Sequence, residues 1–274
     1  MLVVLYGKSW DNWTDALAPT SNLWKDLTHV EKVITVEGLG FPLQDIANNY
    51  KTTVVIPLKE EHILTHPKGY LSLIPSKDVI DIVSYKTNFY NLLTKNDLGE
   101  YFPKQLTSPN FAKPFIIKRL NGAGGEGIFL VWNQDRYEKA LQQPSLKGQP
   151  YILEEYIEGD NEYVFYCVCK DGELLWSTSL IAQPPTDSRV QKGSFTNAAE
   201  AQIKSDVYDI FKTIFKLLNY NGPANVNYKL KEGKPIIFEI NPRFGGTLMY
   251  PKFRHLLSEQ VKIITLNAYV QEGV

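Results

Sequence analysis

The segment Phe238-Glu239-Ile240-Asn241-Pro242-Arg243-Phe244-Gly245-Gly246 gathers more reactive side chains than any other part of the chain. On a strand, alternate residues share a face, so Glu239 and Asn241 fall together and Phe238 and Ile240 fall opposite. A turn at Glu232-Gly233 folds the preceding strand back and brings Asn227 roughly across from Glu239. One carboxylate and two amides then offer hard oxygen ligands, the kind Mg²⁺ takes beside nucleotide phosphates. Pro242 ends the ladder, and Arg243 projects just past the metal face, where a guanidinium can grip a phosphoryl group. A plain strand end with a Glu239–Arg243 ion pair is the simpler alternative. It gives no reason for three oxygen ligands, an arginine and two glycines to converge.

Two further segments offer nucleotide chemistry. Gly122-Ala123-Gly124-Gly125-Glu126-Gly127 spells G-x-G-x-x-G, but it is followed by Ile128–Trp132, which reads as a strand. A dinucleotide fingerprint would open a helix there, so that reading fails. The chain also lacks G-x-x-x-x-G-K-[ST], and the H-R-D and D-F-G of protein kinases. What remains is a strand–glycine loop–strand flap whose N–H groups can close over phosphates, with Lys118 in the strand that enters it. Taken alone, a glycine-rich hairpin with a solvated lysine fits equally well. Ile152–Ile157 reads as a strand ending in carboxylates, where the backbone of Glu154, Glu155, Tyr156 and Ile157 can read an adenine edge. Glu162 stands where a carboxylate can accept from ribose hydroxyls. By itself this segment fits an exposed acidic turn better.

The elements that must carry these residues follow from periodicity. Leu2–Tyr6, Lys32–Val36, Thr52–Pro57 and Tyr70–Ile74 read as strands, with a helix over Pro42–Tyr50, which together suggest a small parallel α/β unit. Ser76 to Lys95 turns helical, and the domain boundary is placed there. From Pro114 the texture is hairpins: Phe115–Leu120 with Ile128–Trp132, Tyr163–Lys170 with Glu173–Ile181 around Asp171-Gly172, and Asn225–Lys231 with Lys234–Asn241. An amphipathic helix carries Ile203, Val207, Ile210, Phe211, Ile214 and Leu218 and stops at Asn221-Gly222-Pro223. A last helix is expected over Leu256–Val270.

Composition narrows the classes. The 274 residues are 43% apolar and 22% charged, an ordinary globular balance. Lys and Arg number 29 against 30 Asp and Glu, so no basic excess exists for a nucleic-acid backbone. Apolar runs fall far short of the ~20 residues of a membrane span, and no signal peptide is legible at the N-terminus. The two cysteines, Cys167 and Cys169, sit at a spacing awkward for a disulfide, and a reducing cytoplasm is the expected home. His29, His62, His66 and His255 show no ligand or triad spacing.

In their order and spacing, these residues resemble the ATP-grasp superfamily over about residues 86 to 250. Lys86 and Lys118 match its two nucleotide lysines. Gly124, Gly125, Glu126 and Gly127 fall in its flap, Glu154, Glu155 and Ile157 in its adenine hinge, and Glu162 at its ribose carboxylate. Asn227, Glu239 and Asn241 match the metal positions, and Arg243 the arginine of the N-P-R element. The first metal position usually carries Glu, Gln or Asp, and Asn227 brings no charge to it. The resemblance implies an ATP-grasp fold of two α+β lobes with ATP between them, over residues 85–274. Its flap lobe would cover about 114–157 and its metal and substrate lobe about 158–274. A pre-ATP-grasp α/β domain would occupy 1–84, matched only by position and texture.

It further implies a carboxylate–amine or carboxylate–thiol ligase that uses ATP and Mg²⁺, or Mn²⁺, and forms an acyl phosphate. The polar loop Gln183–Ser194 resembles acceptor-side loops of such ligases, so Arg189 and Lys192 could hold a substrate carboxylate. A solvated surface loop is the equal alternative. The expected partners are a small-molecule carboxylate and an amine, such as an amino acid or amino-sugar derivative, and a homodimer stays open. Two rivals remain: a nucleotide-binding protein without catalysis that acts through a partner, and a small-molecule phosphotransferase.

Overall fold

Five consecutive residues, Leu2–Tyr6 (β1), are fully or almost fully buried, as a central strand of a parallel sheet requires. In the computed structural model, which describes residues 1–38, 42–120, 126–184, 195 and 197–270, β1 pairs in parallel with β2 (Lys32–Val36) on one side. On its other side lies β3 (Thr53–Pro57), which leads to β4 (Leu71–Ser72). Short helices α1 (Thr14–Leu17), α2 (Leu43–Ala47) and α3 (Glu60–Leu64) connect these strands. The helix expected over Pro42–Tyr50 ends at Ala47, and Asn48–Tyr50 close a tighter turn onto the last carbonyls. The strand expected over Tyr70–Ile74 keeps ladder pairing at Leu71–Ser72 only.

The helical stretch 76–95 divides into α4 (Lys77–Ser84) and α5 (Lys86–Lys95). Tyr85 between them is extended, with φ −106° and ψ 108°, and so breaks the helical hydrogen-bond ladder. The Ser76 hydroxyl caps α4 by accepting from Val79 N at 3.4 Å. Val79 and Val83 of α4 and Phe89, Tyr90 and Leu93 of α5 then share one core with Phe165, Phe211 and Ile240.

Four antiparallel strands follow in the order β5-β8-β6-β7: β5 (Gln105–Leu106), β6 (Phe115–Arg119), β7 (Ile128–Val131) and β8 (Tyr151–Glu155). Helix α6 (Gln134–Leu141), which the apolar pattern did not reveal, starts where the Asn133 side chain accepts from Arg136 N at 2.9 Å. A second antiparallel sheet has the order β11-β10-β9-β12-β13. Its strands are β9 (Glu162–Lys170), β10 (Glu173–Ala182), β11 (Ala199–Ala201), β12 (Gly222–Lys231) and β13 (Lys234–Asn241), with α7 (Ser205–Leu217) between β11 and β12. Both hairpin turns have two residues with positive φ, Asp171 and Gly172 at 51° and 78°, Glu232 and Gly233 at 54° and 85°, the type I′ geometry that suits strand twist. A Cβ on Gly172 would stand 2.9 Å from the Lys216 Cα, so this turn also docks against the end of α7.

The last helix, α8, covers Arg254–Asn267 rather than Leu256–Val270. Tyr269–Val270 forms β14 instead and pairs antiparallel with β4, tying the C-terminal end to the first sheet. A single core joins Val3, Leu5 and Trp13 to Val164, Tyr166 and Leu180, so the parallel sheet and the five-stranded antiparallel sheet pack as one body. Cys167 and Cys169 are buried free thiols on β9. Among the described residues, no helix is long and apolar enough to cross a membrane.

Candidate active site

A cavity of about 390 Å³ opens between the two antiparallel sheets, with the loop after β1 closing one side. Its lining includes Lys86, Lys118, Glu154, Glu155, Tyr156, Ile157, Glu162, Asn227, Glu239, Asn241 and Arg243. These positions span more than half the chain, yet the fold assembles them around one space. Of the flap residues, Gly124 and Gly125 lie outside the described part of the chain, as do Arg189 and Lys192 of the polar loop. Glu126 and Gly127 lead into β7 but are not in the lining, which takes Ile116, Lys118 and Ile128 from the β6–β7 pair.

The oxygen-rich end is built by β12 and β13. Asn227 pairs directly across from Glu239, as expected, but the ladder then slips: Tyr228 faces Ile237 and leaves Phe238 as the extra residue of a bulge. The bulge resets the alternation, so Ile237 and Ile240 both enter the core, and Phe238, expected on the opposite face, lines the cavity with Glu239. Glu239 Oε1 accepts from Asn227 Nδ2 at 3.0 Å and from Asn241 Nδ2 at 3.2 Å. Asn225, which the motif did not single out although it shares the strand face of Asn227, accepts from Asn241 Nδ2 at 3.2 Å. Its own Nδ2 donates to the Arg243 carbonyl at 3.1 Å and pins the turn after Pro242.

The Arg243 side chain pairs with Glu60 rather than Glu239, its Nε lying 2.9 Å from Glu60 Oε1. The Trp10 ring lies 4.6 Å from the guanidinium carbon. Both contacts come from the first sheet's connections, and neither was visible in the motif. Gly245 sits against Tyr166, whose ring carbon would be 2.2 Å from an added Cβ, so no larger residue fits beside that wall.

At the hinge end, Lys118 Nζ and Glu154 Oε2 form a buried ion pair at 2.5 Å, and Lys118 also donates to the Tyr90 hydroxyl at 3.0 Å. Burial, then the neighbouring Glu154 charge, pushes the Tyr90 hydroxyl well above its ordinary value. The other Glu154 oxygen, Oε1, is buried with no hydrogen-bond partner among the described residues. Burial lowers the Lys86 ammonium below its usual range against the pull of Glu239. The Glu155 carboxylate is engaged by Lys231 Nζ at 2.6 Å and by Lys104 N at 3.1 Å; these contacts outweigh burial and hold it below the usual range.

Removing one partner of the buried pair should be costly. Lys118→Ala strands the Glu154 charge and should lower stability by about 3–5 kcal/mol, read from urea unfolding. Lys118→Met combined with Glu154→Gln should recover most of that loss. A Lys118→Ala variant as stable as wild type would show that the pair is not closed in solution.

Glu162 is 7% exposed, and burial pushes its carboxyl up to about 7, with Lys229 opposing and Glu239 reinforcing the rise. Lys229, absent from the motif, lines the cavity and donates to the carbonyls of Gly159 at 2.9 Å and Ile157 at 3.4 Å. A carboxyl raised on folding favours the folded state at low pH and loses that contribution as pH rises through the folded value. The shift from 4.5 to about 7 corresponds to about 3 kcal/mol. Glu162→Gln, neutral at every pH, should therefore unfold at higher temperature than wild type at pH 8 and gain nothing at pH 4. Thermal unfolding across that range checks it, and equal gains at both ends would remove Glu162 as the cause.

This arrangement of two antiparallel sheets around a cavity, with lysines, a hinge strand and an oxygen-rich strand pair, defines a class. Residues 83–247 match the ATP-grasp domain, and the chain belongs to that family. The mixed α/β architecture read from the sequence is the one found. A D-alanine–D-alanine ligase from Petrotoga mobilis is 22% identical over 152 residues, covering 52% of this chain and 51% of the ligase. The arginine-specific carbamoyl phosphate synthase large chain of Bacillus subtilis is 21% identical over 271 residues, covering 81% of this chain and 26% of the synthase. The matches thus reach about half of the first relative's length and about a quarter of the second's. In three dimensions the fold is similar to a D-alanine–D-alanine ligase from Bacillus anthracis complexed with ATP. That likeness has a TM-score of 0.62 at 16% identity and covers 97% of this chain and 95% of the other.

Proposed function

We propose that this chain is an ADP-forming ligase that joins a small-molecule carboxylate to an amine through an acyl phosphate. The observation that carries the reading is the convergence of Lys86, the hinge Glu154–Ile157, Glu162, Asn227, Glu239, Asn241 and Arg243 on one cavity. The buried Glu154 Oε1, without a partner among the described residues, supports it, because an acceptor left without a donor suits an amino group such as adenine's. The relatives named as ligases are in keeping with it.

The donor set also suits a hard divalent cation. Glu239, Asn227 and Asn241 are linked through one carboxylate oxygen, and rotating either amide exchanges its NH₂ for its oxygen, so three oxygens can face one point. These residues would hold Mg²⁺ or Mn²⁺, which when bound supplies charge neutralisation at the phosphates. In this reading the hinge backbone orients adenine, Glu162 accepts from the ribose, and Lys86 adds positive charge beside the phosphates.

A substrate carboxylate oxygen attacks the γ-phosphorus, the bond to the ADP oxygen breaks, and ADP leaves. Arg243, held by Glu60 and Trp10, stabilises the charge on the transferred group. The amine then attacks the acyl carbon, loses a proton to solvent, and inorganic phosphate departs with the C–O bond. Arg189 and Lys192 are assigned to the substrate carboxylate within the same reading. Release of ADP and phosphate that requires a carboxylate and an amine together tests it. Nucleotide binding without turnover, or a stable phosphorylated product that needs no amine, would replace it with a binding protein or a phosphotransferase.

A further inference from the structure

Building on the reading of Glu162 as the acceptor for the ribose, we infer that Lys229 is a second reader of the sugar and a determinant of nucleotide specificity. Its ammonium donates to one ribose hydroxyl while Glu162 takes the other. Together they select a ribonucleotide with both hydroxyls over a 2′- or 3′-deoxy one.

Strand alternation turns both residues to the cavity. Asn225, Asn227 and Lys229 stand at every second position of β12, as do Glu162, Val164 and Tyr166 on β9, and all six line the cavity. The ladder pairs Tyr228 with Tyr163, so one step further Lys229 stands across from Glu162. Lys229 lies about 7 Å along the strand from Asn227. It is therefore set off from the oxygen-rich end, on the hinge side.

Neither charge is consumed by the protein. Lys229 is 3% exposed, and two of its three ammonium donors go to the Gly159 and Ile157 carbonyls. The third has no acceptor among the described residues. Glu162, almost as deeply buried, accepts no hydrogen bond among them. The two charges attract one another, yet they form no ion pair among the described residues. Asp160, the other acid that acts on Lys229, is exposed.

A buried donor and a buried acceptor that face one cavity without a full set of partners suit a ligand carrying both functions. Two neighbouring hydroxyls on one ring supply them, since each can donate and accept. A cation placed there would meet the Lys229 charge, and an anion would meet Glu162. The head group is also held in place. Gly159, at φ 123°, takes a conformation that other residues rarely adopt, and the chain after the hinge folds so that two carbonyls meet one ammonium.

The test is calorimetric titration of the full chain, in Mg²⁺, with ADP, 2′-deoxy-ADP and 3′-deoxy-ADP, none of which carries a γ-phosphoryl group to transfer. With the wild-type chain, each missing hydroxyl should weaken binding by about tenfold or more, the consequence of leaving a charged partner without its hydrogen bond. Lys229→Met should remove most of that penalty for at least one hydroxyl. Lys229→Gln, neutral and shorter, should do the same if the methionine variant does not fold. A variant that bound all three nucleotides more weakly by one common factor would make Lys229 a clamp on the hinge alone. That result would overturn the inference and leave the ligase reading standing. Equal wild-type affinities for the three nucleotides would also overturn it, and failure of the wild-type chain to bind ADP would overturn both.

Discussion

Glu239→Gln should abolish turnover, by roughly 10³ or more, while the chain folds normally and still binds the adenine end of ATP. Glu239 is the single carboxylate of its trio, so in the proposed reading it would supply the negative charge for a divalent cation, and Asn227 and Asn241 would add only neutral oxygens. The substitution removes that charge but keeps an amide oxygen where Oε1 accepts from both asparagines, which is why the strand pair should survive. Mn²⁺ binding followed by electron paramagnetic resonance, with the nucleotide present, should show the loss directly. Normal turnover in Glu239→Gln would end the metal assignment.

Arg243→Ala should do the converse. Mg²⁺-ATP binding should change little, and the chemical step should slow by about 10²–10³, the usual loss for one preorganised charge at a transition state. Single-turnover kinetics separate that step from binding. The cost to stability should stay small, because the abandoned Glu60 side chain is 32% exposed and can be hydrated. Glu60→Gln should produce a milder version of the same defect, since the Trp10 contact continues to hold the guanidinium. If Arg243→Ala lost nucleotide affinity while Glu239→Gln turned over, the two roles would have been exchanged.

Much of this was legible in one dimension because strands and hairpins write short-range rules into sequence. Period-two alternation, Asp171-Gly172 and Glu232-Gly233 were enough to place β9, β10, β12 and β13 and to pair Asn227 with Glu239. Leu2–Tyr6 already read as a strand of a small parallel α/β unit, and the structure buries all five of its residues. Helix limits were less legible: Tyr85 interrupts an unbroken apolar pattern, and Tyr269–Val270 leave the last helix for a ladder offered by a distant strand. The bulge at Phe238 also left no mark, since it depends on how β13 must twist against β12 to keep Ile237 and Ile240 in one core.

The sequence by itself determined the chemical inventory: the oxygen-bearing side chains of the strand pair, the arginine after the proline, the carboxylates of Ile152–Glu162 and the lysines, each readable from residue type and local spacing. Tertiary structure alone decided the partners. Lys118 met Glu154 and Tyr90, Arg243 met Glu60 and Trp10, and Glu162 came to lie buried near Lys229. Those choices join residues up to 183 positions apart. Electrostatic pairing and desolvation depend on distance through space, which local periodicity does not encode.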